Sequence, residues 1–228
     1  MKHVFALALL MFVLVLSAPA RAGSHEVVLL DPAEPFAGLW QKQSFGKGTT
    51  YTNTVLDGQP AIRATGRGAA AGLFREISFS PGDYPRLKWR WRVDDLPAGA
   101  DIRRKDTDDV GAALFLLFGR PGLFRPEPQT LAYSWTAAST TPGEVITSPY
   151  HPGSVRSIVI ESGAGKLGQW VEEERDIIAD FIRAFGHAPK GPVRVIAIWS
   201  DSDQTRDTVS AAFGPIRALP ARTARSGR

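Results

Sequence analysis

The chain of 228 residues contains no cysteine. Disulfides, thiolate metal sites, a cysteine nucleophile and a lipid anchor on a processed N-terminal cysteine are all excluded. Histidine is nearly as scarce, with four in the chain. His25, His151 and His187 fall into no recognisable nucleophile–base arrangement, and neither Gly-x-Ser-x-Gly nor His-Glu-x-x-His occurs. There is a single long apolar run, Val4 to Leu16, which follows Lys2 and precedes Ser17-Ala-Pro-Ala-Arg-Ala22. It is too short to span a bilayer comfortably and suits a secretory signal. Residues 1–22 are expected to be a signal peptide cut after Ala22, which would place the mature protein in the periplasm or outside the cell. No later segment is long and apolar enough to predict a transmembrane helix. About 200 residues remain, enough to bury a core without disulfides.

The formal net charge of +4 overstates how basic the body of the chain is. Lys2 and Arg21 leave with the signal segment, and Arg217, Arg222, Arg225 and Arg228 crowd a tail without acids. What lies between carries slightly more acid than base. No basic face for nucleic acid is indicated, and residues 217–228 are expected to form a disordered basic tail.

What the chain does have is alternation. Leu87-Lys-Trp-Arg-Trp-Arg-Val93 puts Leu87, Trp89, Trp91 and Val93 on one face of a strand, and Lys88, Arg90 and Arg92 on the other. Turn-forming residues recur every 8–15 positions, and strands are predicted near 26–30, 49–55, 60–65, 73–79, 86–93, 110–118, 130–137, 155–161, 193–199 and 208–216. Val110–Phe118 and Val193–Trp199 are apolar at nearly every position, as strands covered on both faces are. One helix is predicted over 171–185, stopped by Gly186 and Pro189, with Glu172, Glu173, Glu174 and Asp176 at its positive end. Many short strands and one helix predict a mainly β fold, a single jelly-roll-like β-sandwich over 23–216. Gly163-Ala-Gly165-Lys-Leu-Gly168 matches a dinucleotide-binding pattern, but it lies too late in the chain for the remaining strands of that fold and reads as a turn. The long segments Asp94–Thr107, Gly119–Gln129 and Pro142–Gly153 could carry binding residues.

Two acidic groups flank apolar strands: Asp106, Asp108 and Asp109 precede one, and Asp201 and Asp203 follow another. A hard cation such as calcium takes such oxygens; aspartates closing turns or paired with Arg103, Lys105 or Arg206 would look the same. Arg90 and Arg92 could grip an anionic sugar or pair across the sheet with acids such as Glu161. Trp89, Trp91 and Trp199 read as core, leaving Trp135 and Trp40 as possible sugar platforms. Glu161, Asp109 and Asp201 could serve as the paired carboxylates of a glycosidase.

Taken in order, Leu87–Val93, Lys105 with Asp108-Asp109, Tyr133-Ser134-Trp135, Val155–Gly163, Glu174-Arg175-Asp176 and Ala197–Thr205 resemble a bacterial family catalogued as domain of unknown function 3047. The resemblance implies an exported single-domain protein and no particular activity. One departure is Gly111–Phe118, apolar where family members tend to carry a polar strand. The reading is a monomeric, exported β-sandwich that binds a carbohydrate or cell-envelope glycan through Arg90, Arg92, Lys105, Asp108, Asp109, Trp135, Glu161 and Asp201. Calcium would be held by Asp106, Asp108, Asp109, Asp201 and Asp203. The alternatives are a polysaccharide hydrolase or lyase working through Asp and Glu, and a structural envelope protein.

Overall fold

The computed structural model describes residues 25–119, 128–137 and 140–222. The expected signal segment, most of the 119–129 loop and residues 223–228 lie outside them. The described chain holds strands β1 (Val27–Leu30), β2 (Gln41–Phe45), β3 (Thr50–Leu56), β4 (Gln59–Arg67), β5 (Ala70–Phe79), β6 (Arg86–Asp95) and β7 (Ala112–Phe118). It continues through β8 (Gln129–Thr136), β9 (Val145–Thr147), β10 (Val155–Ser162), β11 (Val171–Asp176), helix α1 (Ile177–Phe185), β12 (Val193–Asp201) and β13 (Thr208–Leu219). The first sheet runs β11-β6-β13-β4-β3, with β1 also on β13, and the second runs β2-β5-β12-β7-β8-β10-β9. The pairings are antiparallel except β8 with β10. The expected β-sandwich is therefore observed, and each predicted strand falls within it.

Strand β6 shows why the sheets face each other. Leu87, Trp89, Trp91 and Val93 are buried, and two of them meet the second sheet directly. The Trp89 ring stacks on Tyr133 at 5.1 Å and Trp91 meets Trp135 edge-on at 6.1 Å. Strand β7 sends Ala112, Leu114, Leu116 and Phe118 into the same core.

Residues 171–176 correct the sequence reading. They form a strand, so the helix begins only at Ile177. Val-Glu-Glu-Glu-Arg-Asp alternates, and its acids meet the basic face of β6: Glu172 opposite Arg90 and Glu174 opposite Lys88. Lys88 pairs with Glu172 at 2.8 Å and Arg86 with Glu174 at 2.9 Å. These cross-strand pairs favour the strand, and only Asp176 keeps the helix-start role. Its carboxylate accepts from the Ile178 and Ala179 amides at 3.0 and 2.9 Å, and Gly186 ends the helix at φ +78°. Asp176→Ala is expected to cost about 1 kcal/mol in urea unfolding, and an unchanged midpoint would show that the cap contributes nothing.

Strand β13 runs past residue 216. Arg217 lies in the ladder opposite Lys88 and Val28 and pairs with Glu26 at 3.2 Å. The first residues assigned to a disordered tail are thus part of the sheet.

Candidate functional site

The outer face of the second sheet carries a cleft of about 550 Å³. Its floor comes from the residues that alternate with the core positions: Ala113 and Phe115 on β7, Ala132 and Ser134 on β8, Ser157 on β10, and Trp199 and Asp201 on β12. The two fully apolar strands are thus covered by the core on one face and floor a cleft on the other. Ile102 and Val110 pack over one end of the floor with Ala113, Ile146 and Val159. Tyr150 stands at the rim, its hydroxyl donating to the Lys105 carbonyl at 2.8 Å while the Lys105 ammonium lies 5.4 Å from its ring.

Trp199 is the centre of the floor. Gly72 sits opposite it on β5, and a Cβ there would run into the indole and come within 2.8 Å of the Phe74 ring. The missing side chain lets the indole settle onto the sheet. Phe45, Phe74 and Phe115 surround it at 5.5, 6.2 and 6.2 Å. Trp199 remains partly exposed and Phe45 is 49% exposed, so this apolar surface faces solvent.

The carboxylates gather at one end of this floor. Because β7 and β12 are antiparallel neighbours, the start of one and the end of the other meet, and the two acidic groups become one. Carboxylate oxygens of Asp109, Asp201 and Asp203 lie within 4.8 Å of one another. Asp109 is fully buried and accepts from the Gln204 and Thr205 amides at 3.1 and 2.6 Å. Asp201 accepts from the Val110 amide at 2.8 Å. Burial first, then the neighbouring carboxylates, push the Asp201 carboxyl well above the usual range. The same causes raise Asp203, and they raise Asp108 to about 7. A hard cation accepts such a set of oxygens, and so does a proton.

The other expected site residues go elsewhere. Asp106 points away and pairs with the exposed Arg104 at 2.7 Å. Arg90 and Arg92 lie on the outer face of the first sheet, the far side of the sandwich from the cleft. Arg92 pairs with Asp94 at 2.6 Å and Asp57 at 2.8 Å, and Arg90 lies over Trp170 at 4.7 Å. Trp135 is fully buried between the sheets and its indole donates to the Gly163 carbonyl at 3.2 Å; Trp40 is buried as well. Neither offers a sugar platform. Glu161 is turned away by a bulge: the register of β10 slips between Val159 and Glu161, so Glu161 faces inward and pairs with Lys166. Gly163 to Gly168, where Lys166 lies, is a turn between β10 and β11. Trp199, Phe45, Phe74, Phe115 and Tyr150 were missed. The small run Ala69-Ala-Ala-Gly72, set against Trp199, was the available signal for a ring lying on a sheet face.

Three solved structures share a distant likeness of shape. A family 11 carbohydrate-binding module of the cellulosomal cellulase Lic26A-Cel5E of Clostridium thermocellum is 12% identical, with 89% of this chain and 99% of that one covered and a TM-score of 0.45. A family 30 carbohydrate-binding module from the same organism is 8% identical over 87% and 99%, with a TM-score of 0.44. A cellulase derived from the Cel12A enzyme of Rhodothermus marinus is 11% identical over 84% and 97%, at 0.43. No curated protein matches the chain. A family model does match, over residues 39–217, which hold the second sheet, the first sheet apart from β1 and the end of β13, the acidic cluster and every aromatic residue of the cleft floor. The chain belongs to the family described as protein of unknown function (DUF3047).

Proposed function

We propose that this protein binds a glycan along the outer face of its second sheet without cleaving it, and does so in the periplasm or outside the cell, as a monomer acting on cell-envelope carbohydrate. One observation carries the reading: a solvent-facing floor of Trp199, Phe45, Phe74 and Phe115, built on the rigid part of the fold. A pyranose presents a flat C–H face that loses water favourably against such rings, while its hydroxyls need a few placed polar groups. Ser134 and Ser157, whose hydroxyls lie 2.5 Å apart, and the rim residues Tyr150 and His151 supply these. Calcium belongs to this reading only through Asp109, Asp201 and Asp203, which would hold it at the end of the cleft.

Titration calorimetry with soluble β-linked hexasaccharides of glucose and of N-acetylglucosamine tests the reading. Binding is expected for the wild type, with Trp199→Ala weakening it about tenfold or more, the value of one stacked ring together with its buried area. Equal affinity in both proteins would remove the cleft as the site. Release of shorter sugars, lost in Asp108→Asn, would make the protein a hydrolase. Gly72→Val is expected to lift the indole and weaken binding to a similar degree, with unfolding midpoint and tryptophan fluorescence read alongside; an unchanged emission spectrum and affinity would show that the indole does not need its bare glycine.

A further inference from the structure

The outer face of the first sheet carries a second hollow, open to solvent and of about 490 Å³, on the far side of the sandwich from the cleft. Alternation builds it. On β4, Ile62 and Ala64 enter the core, which leaves Arg63, Thr65 and Arg67 pointing outward. Register then sets Thr50 of β3 on one side of Thr65 and Ser210 of β13 on the other, with Thr208 beside Arg67. The result is a row of hydroxyls about 10 Å long, with an arginine about 7 Å along β4 to either side of its middle. Lys47 closes the Arg67 end, where its carbonyl accepts from the Ala70 amide at 2.8 Å.

Donors prevail here. The Ser210 hydroxyl accepts from Arg63 Nη2 at 2.9 Å and the Thr208 hydroxyl from Arg67 Nε at 3.2 Å. With a lone pair turned to a guanidinium, each hydroxyl keeps its own proton to donate. Arg63 is neutralised by Asp94 at 3.0 Å. Lys47 and Arg67 are exposed and make no ion pair among the described residues. Asp207, whose charge Arg67 feels, is turned to the Ala98 and Thr208 amides at 2.8 and 2.7 Å and does not line the hollow. Asp95, opposite Ser210 at the β6 end of the row, is the one carboxylate among the described residues that does. The β3–β4 end is therefore left positive.

We propose that this hollow binds a phosphate monoester, its oxygens held by Lys47 and Arg67 together with the Thr65 and Thr208 hydroxyls. The chemistry fits. Such an ester carries about two negative charges at neutral pH and three strong acceptor oxygens, which answers two cations without a carboxylate and the hydroxyl donors between them. Arg67 has spent only its Nε on Thr208, so its remaining nitrogens are left for a planar, two-point grip on a phosphate. A carboxylate brings half the charge and two oxygens, and a neutral sugar gains nothing from the cations. A soluble sugar phosphate and a phosphatidic acid headgroup share this chemistry, and the test separates them.

The protein is titrated at pH 7.5 and 0.15 M salt with glucose 6-phosphate by calorimetry, and with phosphatidic acid vesicles by sedimentation. Binding is expected in at least one arm, with a dissociation constant of about 1 mM or tighter. Lys47→Gln/Arg67→Gln should weaken it tenfold or more. Thr65→Val, which leaves the net charge alone and suits a strand, should weaken it about threefold, and Asp95→Asn should tighten it. Glucose 6-phosphate bound without the vesicles would support the site with a soluble ligand. Vesicles bound more tightly, and released by the double variant, would support it with a lipid. Binding in neither arm would overturn the proposal. Equal binding of phosphatidylglycerol vesicles, whose phosphate is a diester, or affinity unchanged by Thr65→Val, would reduce the effect to loose charge attraction and overturn it too. The hollow and the cleft lie on opposite faces, so failure here leaves glycan binding to its own test.

Discussion

Replacing Arg175 by methionine is expected to cost about 3–5 kcal/mol of stability. Asp180 projects from α1 into the core with only 4% exposure. Its two carboxylate oxygens accept from Arg175 Nη2 and Nε at 2.5 and 2.8 Å. The fork of a guanidinium matches a carboxylate in both position and charge. Tyr133 stands beside the pair, and Phe181 and Phe118 belong to the same core, their rings 4.6 Å apart. Burial and then the Asp180 charge push the Tyr133 phenol up. With methionine at 175, Asp180 is left charged in an apolar setting. Urea unfolding at pH 7 should show the loss as a lower midpoint at unchanged slope, and heating should show a Tm drop of roughly 10 °C. The double variant Arg175→Met/Asp180→Leu should recover most of the loss, because removing both charges removes the desolvation penalty. A single variant that loses less than about 1 kcal/mol would mean the pair does not secure the helix to the sandwich.

The second large effect is on pH. Asp108, from an ordinary value of 3.8, and Glu173, from 4.5, are both raised to about 7, and Asp201 and Asp203 are raised as well. For Glu173 the causes are burial first and then the Glu161 carboxylate. Acids raised in the folded state hold protons that the unfolded chain releases from about pH 4 upward. Stability is therefore fully present below the unfolded values and falls as pH rises toward about 7. Moving Asp108 from 3.8 to about 7 is worth up to about 4 kcal/mol, and its partial exposure screens this to about 2 kcal/mol. Asp101, Asp106 and Asp207 are lowered by their partners, but they titrate below this range. The wild-type Tm at pH 8 should lie about 4–8 °C below that at pH 5.5. Asp108→Asn and Glu173→Gln should each flatten the profile by raising the pH 8 value. A wild-type Tm that climbs from pH 5.5 to 8 would show that these carboxyls are not held protonated. Calcium that restores the pH 8 value in wild type and not in Asp201→Asn would favour a cation in the cluster.

How far the residues spoke for themselves varied with the range of the contacts involved. Strand β6 was readable from its own seven-residue alternation because one buried and one wet face leave a period of two. Residues 171–176 were not, because Val171 and Ile177 also fit a helical spacing. What decides between the two readings is the row Lys88, Arg90 and Arg86, far away in sequence. Glu161 failed for a smaller reason. Its place in the alternation of β10 put it on the cleft side, and a single slipped residue turned it inside. Trp199 was assigned to the core because apolar alternation marks a surface that avoids water, and a ligand cleft avoids water in the same way as a core.

By itself the sequence determined the β-sandwich class, the two-faced strand β6, the family, and the presence of two acidic groups beside apolar strands. Those are properties of local pattern, set by side-chain period and turn chemistry. Tertiary structure alone decided that the acidic groups are one cluster, that Arg90 and Arg92 lie across the molecule from it, and that Trp199 rather than Trp135 floors the cleft. The physical reason is strand order. Pairing β12 with both β5 and β7 brings positions 72, 113 and 199 side by side, and hydrogen-bonded neighbours across a sheet leave no trace in the spacing of residues along the chain.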